Sequence, residues 1–241
     1  MRLHQFLSKS GEFKLKEDAI LAIIKGEIRI GNRVIINQNY FFNEKKERVY
    51  YKDKILNIKP KILLAINKPR GILCSKLTMQ DKNLNKKSIY ELIPPKYLHL
   101  SCIGRLDEDS EGLLFMTNDG DFLHKIISKE TNVLKKYYVE LKEDITKKKC
   151  EQLENGVEIE LEENRHKTKY KTQTCQVKQL DNNKIEIILF EGKKRQIRKM
   201  IDTINNKVNL LRRIQIGNYK LLDSNLNYGD FLDITDYKTK I

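Results

Sequence analysis

The chain has 241 residues, 39% of them hydrophobic, with a formal net charge of +14 at pH 7 and a pI near 9.4. That length holds one large domain or two with a real core, and the charge points to a polyanionic partner, because Lys and Arg release counterions from phosphate backbones. Cys74, Cys102, Cys150, Cys175 and the four histidines lack zinc spacing, no apolar run reaches membrane-span length, and the opening residues lack a signal peptide's apolar stretch; the expectation is a cytoplasmic protein with reduced thiols, no metal and no membrane span.

Residues 1–58 read as a module of their own. Leu3, Phe6 and Leu7 recur at helical spacing until Gly11 breaks the pattern. A second helix follows, with Ala19, Ile20, Ala22, Ile23 and Ile24 as its apolar face beside Lys14, Lys16 and Lys25. Ile28 and Ile30 alternate with charged residues, Gly31-Asn32 makes a turn, and a second strand begins at Arg33. Two short helices and a hairpin with basic exposed faces fit an RNA held by its phosphates; the plainer alternative is a small module with solvated lysines. The charged stretch 43–61 reads as a last strand running into a linker, with Pro60 at the boundary.

From residue 59 the pattern changes. Ile62 to Ile66 is an apolar run of strand length, ended by Asn67-Lys68-Pro69-Arg70-Gly71, a turn expected at a sheet edge. Residues 75–87 are polar and read as a mobile loop near bound nucleic acid, and Ser88 to Ile93 as a short helix stopped by Pro94-Pro95. Gly104-Arg105-Leu106-Asp107 then opens an acidic turn before an apolar run ending in Asn118-Asp119-Gly120. An aspartate beside an arginine at the mouth of a buried strand points to a carboxylate held ionised for chemistry, although many Asp-rich turns only close a turn. A helix over 121–127, a strand over 137–141, a helix over 150–153 and strands over 173–177 and 185–190 follow. A basic helix over 196–204 and short strands complete the chain. Strands outnumber helices without βαβ alternation, which predicts an α+β fold with a mixed sheet.

Two resemblances are carried by these residues. Arg2-Leu3-His4-Gln5-Phe6-Leu7, the second helix and Gly26-Glu27-Ile28-Arg29-Ile30-Gly31-Asn32-Arg33 resemble the S4 RNA-binding domain, except that Phe13-Lys14-Leu15-Lys16 replaces the usual small-residue, Ser-Arg opening of its second helix. Asn67 to Gly71, Gly104 to Gly120, Lys135-Lys136-Tyr137 and Glu191 to Met200 together resemble, in family order and over nearly the whole chain, the RsuA-type ribosomal RNA pseudouridine synthases. The resemblance implies an S4 module over 1–58 and a catalytic domain over 59–241, whose mostly antiparallel mixed sheet is flanked by helices and holds a central cleft. It implies a monomer that isomerises uridine to pseudouridine in ribosomal RNA or a pre-ribosomal particle. That reaction needs no cofactor, in keeping with the lack of a Walker loop or dinucleotide fingerprint.

The residue roles it implies are specific. Asp107 is the essential carboxylate, attacking the sugar or assisting glycal formation. Arg198 pairs with Asp107, fixing its rotamer and holding it ionised, or else serves as a phosphate contact. Tyr137 stacks on the extruded base or acts as base at C2′, with core packing as the alternative, and Tyr138 faces the other way. Ile197 lines the uracil pocket. Arg105 contacts the RNA backbone or helps to flip the base, and Lys68, Arg70, Lys194 and Arg195 contact phosphates, while Glu108, Asp109 and Glu111 keep the turn solvated. Leu73-Cys74-Ser75 and His124 to Ser128 resemble the small-subunit enzymes, which points to 16S rRNA, although Arg195 to Arg198 also occurs in 23S enzymes. Two other classes are a non-catalytic RNA-binding or ribosome-assembly protein and a glycosidase-like enzyme. The latter requires a second carboxylate opposite Asp107, and adjacent turn residues such as Glu108 and Asp109 rarely converge that way.

Overall fold

A computed structural model describes residues 1–13, 15–128, 130–163 and 166–240. Lys14, one of the basic residues assigned to the second helix, lies outside them. The chain divides into two units, Met1–Lys61 and Ile62–Ile241.

In the first unit, α1 (Leu3–Ser10) and α2 (Lys16–Ile24) precede four strands, β1 (Ile28–Ile30), β2 (Arg33–Val34), β3 (Val49–Tyr51) and β4 (Lys54–Leu56). The strands form an antiparallel sheet in the order β2-β1-β3-β4. Leu3, Phe6 and Leu7 of α1 and Ala19, Ala22 and Ile23 of α2 share one core with Ile28, Ile30, Val49 and Leu56. The stretch read as one strand and a linker therefore holds two strands, turned back at Lys52, whose φ is +54°. Ile24, assigned to the apolar face, is exposed.

The second unit contains β5 (Leu63–Lys68), β6 (Ile72–Leu73), α3 (Met79–Asn83), β7 (Lys87–Ser88), β8 (Ser101–Ile103), β9 (Glu111–Thr117), α4 (Gly120–Ile127), β10 (Lys135–Leu141) and α5 (Lys147–Glu154). It continues with β11 (Glu158–Glu163), β12 (His166–Lys171), β13 (Gln176–Asp181), β14 (Lys184–Leu189), α6 (Gln196–Thr203), β15 (Val208–Ile216), β16 (Tyr219–Lys220) and β17 (Phe231–Asp233). Its main sheet runs β13-β14-β10-β15-β9-β5-β17, with β16 on β15 and β8 on β9, and every pair in it is antiparallel except β9 with β15. Both faces are covered: Leu64, Ile66, Leu114 and Met116 join one core with Val139, Ile185 and Met200, while Leu63, Ala65, Leu113 and Phe115 join another with Phe122, Ile126 and Tyr219. Burial on both sides explains why β5 and β9 are apolar runs rather than alternating ones.

Several elements differ from the sequence reading. Residues 75–87 include α3, whose Thr78 and Asp81 cap each other reciprocally. The turn after β5 does not follow an edge strand, because β5 lies between β9 and β17. The strand placed at 173–177 begins at Gln176, since the Gln173 N–H is taken by the Glu191 carboxylate at 2.9 Å. The β11–β12 hairpin was not anticipated, although Val157, Ile159 and Leu161 alternate with exposed glutamates into and along β11; β12 is polar almost throughout, and the two strands carry cross-strand pairs Glu160–Lys167 and Glu158–Lys169, at 2.7 and 2.9 Å. The end of the chain includes the nine-residue β15 as well as short strands.

Asn118 and Thr117 join the ends of β9 and β5. The Asn118 side-chain oxygen accepts the Ile62 N–H at 2.8 Å, and the Thr117 hydroxyl donates to the Ile62 carbonyl at 2.6 Å. Asp119 accepts the Asp121 N–H at 3.2 Å and caps α4. At the other end of β9, Gly112 allows the parallel contact with β15. Its φ is +101°, and a Cβ there would sit 2.3 Å from the Arg213 carbonyl oxygen and 2.8 Å from its nitrogen. Gly112→Ala is therefore expected to destabilise the second unit by about 3 kcal/mol or more, through strain and displaced backbone. Gly120→Ala, with nothing within 4 Å of the new methyl, leaves stability unchanged or slightly raised; comparative thermal unfolding checks both.

Candidate active site

The turn between β8 and β9 is held from beneath by donors that take its carbonyls one after another. The Cys74 thiol donates to the Leu106 carbonyl at 3.3 Å, and the Gly71 N–H to the Glu108 carbonyl at 2.7 Å. Arg198 Nη2 donates to the Asp109 carbonyl at 2.9 Å and to the Ser110 hydroxyl at 3.2 Å. Lys68 Nζ donates to the carbonyls of Asp107 and Ser110 at 3.2 and 2.7 Å, and to that of Pro69 at 3.1 Å. Five successive backbone oxygens are thus accounted for, and the turn has little freedom left.

Lys68 is fully buried, at 0% exposure. Burial pushes its ammonium below the ordinary lysine range, opposed by Cys74 and by the carboxylates of Asp109, Asp107 and Glu108. The assignment of Lys68 as a phosphate contact is corrected here: its three donors are consumed by carbonyls inside the protein. Arg70, two residues on, is exposed and lines a separate shallow groove with Gly71, Glu108, Asp109 and Arg195.

The arginines also sort differently from the sequence reading. Arg198 does not pair with Asp107. Its Nε stands 3.3 Å from the Asp109 carboxylate, an ion pair without hydrogen-bond alignment; Nη2 holds the turn at the Asp109 carbonyl and the Ser110 hydroxyl, and Nη1 donates to the Val208 carbonyl at 3.4 Å. Arg195 makes the two-pronged contact with Asp109, at 3.2 and 3.0 Å, and is also the cation nearest Asp107, with Nη1 at 3.9 Å from Oδ2. Burial pushes the Asp109 carboxyl up, but the hydrogen bonds from Arg195 and the charges of Arg198 and Arg195 outweigh it and leave it below the usual carboxylate range. The acidic neighbours of Asp107 are paired rather than solvating the turn. Glu108 meets Lys86 at 2.7 Å; the buried Glu111 takes Arg212 at 2.7 Å and the Tyr228 hydroxyl at 2.6 Å.

Above the turn lies a cavity of about 320 Å³ lined by Asp107, Tyr137, Ile197, Arg105, Lys194 and Arg195, and also by Lys135, Glu191 and Arg213. Asp107 is 30% exposed; Tyr137 and Ile197 are buried, and Arg105 and Lys194 are exposed. The structure thus brings six of the nine residues singled out from the sequence to one cavity. Lys68 and Arg198 lie behind the turn, and Arg70 lies in the groove.

Glu191 entered the sequence reading only as the first residue of the basic segment Glu191 to Met200, yet it organises that segment. It accepts from the Gln196 amide at 2.7 Å, from the Gln173 N–H at 2.9 Å and from the Tyr170 hydroxyl. Beside this network Arg195 sits at φ +55°, a left-handed conformation rare for a side-chain-bearing residue. Lys135 and Arg213 were also missed as cavity groups; burial and then the charge of Arg213 pull Lys135 down to about 8. Among the described residues, no group of three or more His, Cys, Asp or Glu is gathered for a metal ion, and no helix is long and apolar enough to cross a membrane.

The chain matches the family model for RNA pseudouridylate synthase over residues 62–203. It is 31% identical to an uncharacterized RNA pseudouridine synthase of Aquifex aeolicus, across all of this chain and 95% of the relative. It is 26% identical to ribosomal small subunit pseudouridine synthase A of Haemophilus influenzae, across 98% of this chain and 96% of that one. A solved pseudouridylate synthase crystal structure superposes with a TM-score of 0.67 at 25% identity, covering all of this chain and 98% of the other.

The internal role of Lys68 separates cleanly from a phosphate contact. Lys68→Met keeps the volume but removes a donor from three carbonyls, of which that of Asp107 keeps the Ser110 N–H at 3.0 Å. Amide hydrogen exchange across residues 106–110 is expected to accelerate by about tenfold or more, while the salt dependence of RNA binding keeps its slope. A slope shallower by about 0.9, the signature of one lost phosphate contact, refutes the internal role.

Proposed function

The chain belongs to the RNA pseudouridylate synthase family, and we propose that it isomerises a uridine of ribosomal RNA to pseudouridine, with 16S rRNA as substrate and Asp107 as the acting carboxylate. The reaction breaks the N1–C1′ bond, turns the base and joins C5 to C1′. The proton lost at C5 is balanced by one gained at N1, so substrate and product are isomers and no electrons enter or leave.

One observation carries the reading. Five consecutive carbonyls of the turn are tied down by Cys74, Lys68, Gly71 and Arg198, while the Asp107 carboxylate lines the cavity. A group held this way meets C1′, or a glycal-forming ribose, without first having to be ordered. Tyr137 and Ile197 supply apolar surface for the base, and Arg105 and Lys194 lie exposed where a backbone phosphate would approach. A paired uridine must be extruded, at a cost of a few kcal/mol that contacts along the strand offset. The likeness to the Haemophilus influenzae small-subunit enzyme supports 16S over 23S rRNA.

The Met1–Lys61 unit is read as an S4-type RNA-binding module. Its support is the order of two helices followed by short antiparallel strands, with Lys16, Lys25, Arg33, Arg48 and Lys52 exposed on them and their connections. The protein acts as a cytoplasmic monomer on ribosomal RNA or a pre-ribosomal particle.

Pseudouridine mapping of ribosomal RNA from cells with and without this protein is expected to show one lost site in 16S rRNA. A lost site in 23S instead moves the substrate, and no lost site favours a binding-only role. With [5-³H]uridine-labelled rRNA from the deleted strain, Asp107→Asn is expected to slow tritium release from C5 by about 10³-fold or more, with RNA affinity within about threefold.

A further inference from the structure

Tyr137 and Arg213 are register partners on β10 and β15, and Lys135 stands two residues before Tyr137. All three line the cavity. Arg213 is 3% exposed; its Nε donates to the Leu113 carbonyl at 2.7 Å, and its Nη2 is buried with no acceptor. Lys135 is half-buried, and its ammonium donates to the Val133 carbonyl at 3.0 Å. Neither meets a carboxylate in an ion pair among the described residues. Of the two acids lining the same cavity, Glu191 is occupied by Gln196, Gln173 and Tyr170, and Asp107 has Arg195 as its nearest cation. Two cations that feel each other's charge are therefore held beside the cavity with unused donor capacity. Such an arrangement costs free energy in the empty protein and is relieved by an acceptor that enters.

Resting on the uridine-isomerase reading above, we infer that Lys135 and Arg213 bind the carbonyl oxygens of the uracil ring and stabilise the uracil anion released when the glycosidic bond breaks. When N1–C1′ breaks, the bonding pair stays with the base, and its negative charge spreads over N1 and the two ring carbonyl oxygens. Fixed donors in a site shielded from water favour that charge more than the neutral ring. Lys135, pulled down to about 8 by burial and then by Arg213, loses that penalty when the anion forms beside it. The anion then closes C5 onto C1′, and N1 takes a proton as C5 releases its own. This assignment also gives uracil selectivity, because cytosine presents an amino donor where uracil presents one of its carbonyl oxygens, and a donor facing these cations is repelled.

The test is single-turnover tritium release from [5-³H]uridine-labelled, unmodified rRNA, with RNA affinity measured in parallel. Lys135→Met is expected to slow release about 100-fold with the dissociation constant within about twofold, and Lys135→Arg to restore the rate to within about fivefold of wild type. Arg213→Lys, which keeps the charge but removes donors, is expected to lie between. Release by Lys135→Met within threefold of wild type overturns the inference, as does a Lys135→Arg rate no better than that of Lys135→Met. If Lys135→Met is unfolded by circular dichroism, Lys135→Gln decides by the same criteria. A wild-type protein that releases no tritium from any ribosomal RNA sinks the isomerase reading itself and this inference with it. An active wild type with an indifferent Lys135 sinks the inference alone.

Discussion

Lys68 places a full positive charge at a site with no access to water. Desolvating an ammonium costs several kcal/mol in a real protein, so such a group persists only where its donors are met. Here they are met by carbonyls rather than by a carboxylate: one from its own turn and two from the turn that carries Asp107. Carbonyl dipoles stabilise the charge without neutralising it. The ammonium therefore also exerts an attractive field on Asp107, Glu108 and Asp109. One side chain at the end of β5 thus sets the shape of the turn that carries Asp107 and biases its charge. Everything else at the site is arranged around a turn that this ammonium has already fixed.

The division of labour between the two arginines follows from that fixed shape. With the backbone of residues 106–110 tied down, Asp109 points where both Arg195 and Arg198 can reach it, and it absorbs most of their charge. Among the described residues Asp107 has one cation within ion-pair range, Arg195, at the longer distance of 3.9 Å. A carboxylate locked in a short two-pronged pair is a poor reactant, because its lone pairs are already directed at donors. Asp109 thus takes the tight pairing, and Asp107 is left without a two-pronged partner, as the role proposed for it requires. The left-handed backbone of Arg195 fits this picture, since the Glu191 network beside it supports a conformation that costs of order 1 kcal/mol or more.

Much of this was legible in the sequence, and the illegible parts share one cause. The helices of the first unit, β9, α4, β10 and α6 were readable because apolar spacing and punctuation report local structure directly. Asp107 stood out through the motifs that accompany it along the chain, since an Asp-rich turn before a strand is common on its own. The role of Lys68 was hidden: Asn-Lys-Pro looks like an exposed turn, and only the burial of β5 on both faces shows that the lysine points inward. Arg213 was hidden in the same way, within an Arg-Arg doublet that reads as surface charge on a strand. Half of the β11–β12 hairpin was in fact legible, since Val157, Ile159 and Leu161 alternate with exposed glutamates; β12 was hidden because it is polar almost throughout and is held by backbone bonds and exposed Glu–Lys pairs. Sequence shows which groups are charged; it shows poorly where water is.

That distinction bears on the meaning of the +14 net charge. A formal count treats every cation as available to a polyanion, yet Lys68, Arg198 and Arg213 are turned into the protein, with exposures of 0%, 11% and 3%. Their long-range field still reaches solvent, so they add to the attraction that draws RNA in, but they release few counterions because no phosphate can touch them. Exposed cations such as Arg70, Arg105 and Lys194 differ: they are screened by salt and open to whatever approaches the surface. The basic composition therefore serves two ends by the same chemistry in different solvents. In water it draws in a polyanion; out of water it holds one turn and the wall of one cavity in a fixed geometry.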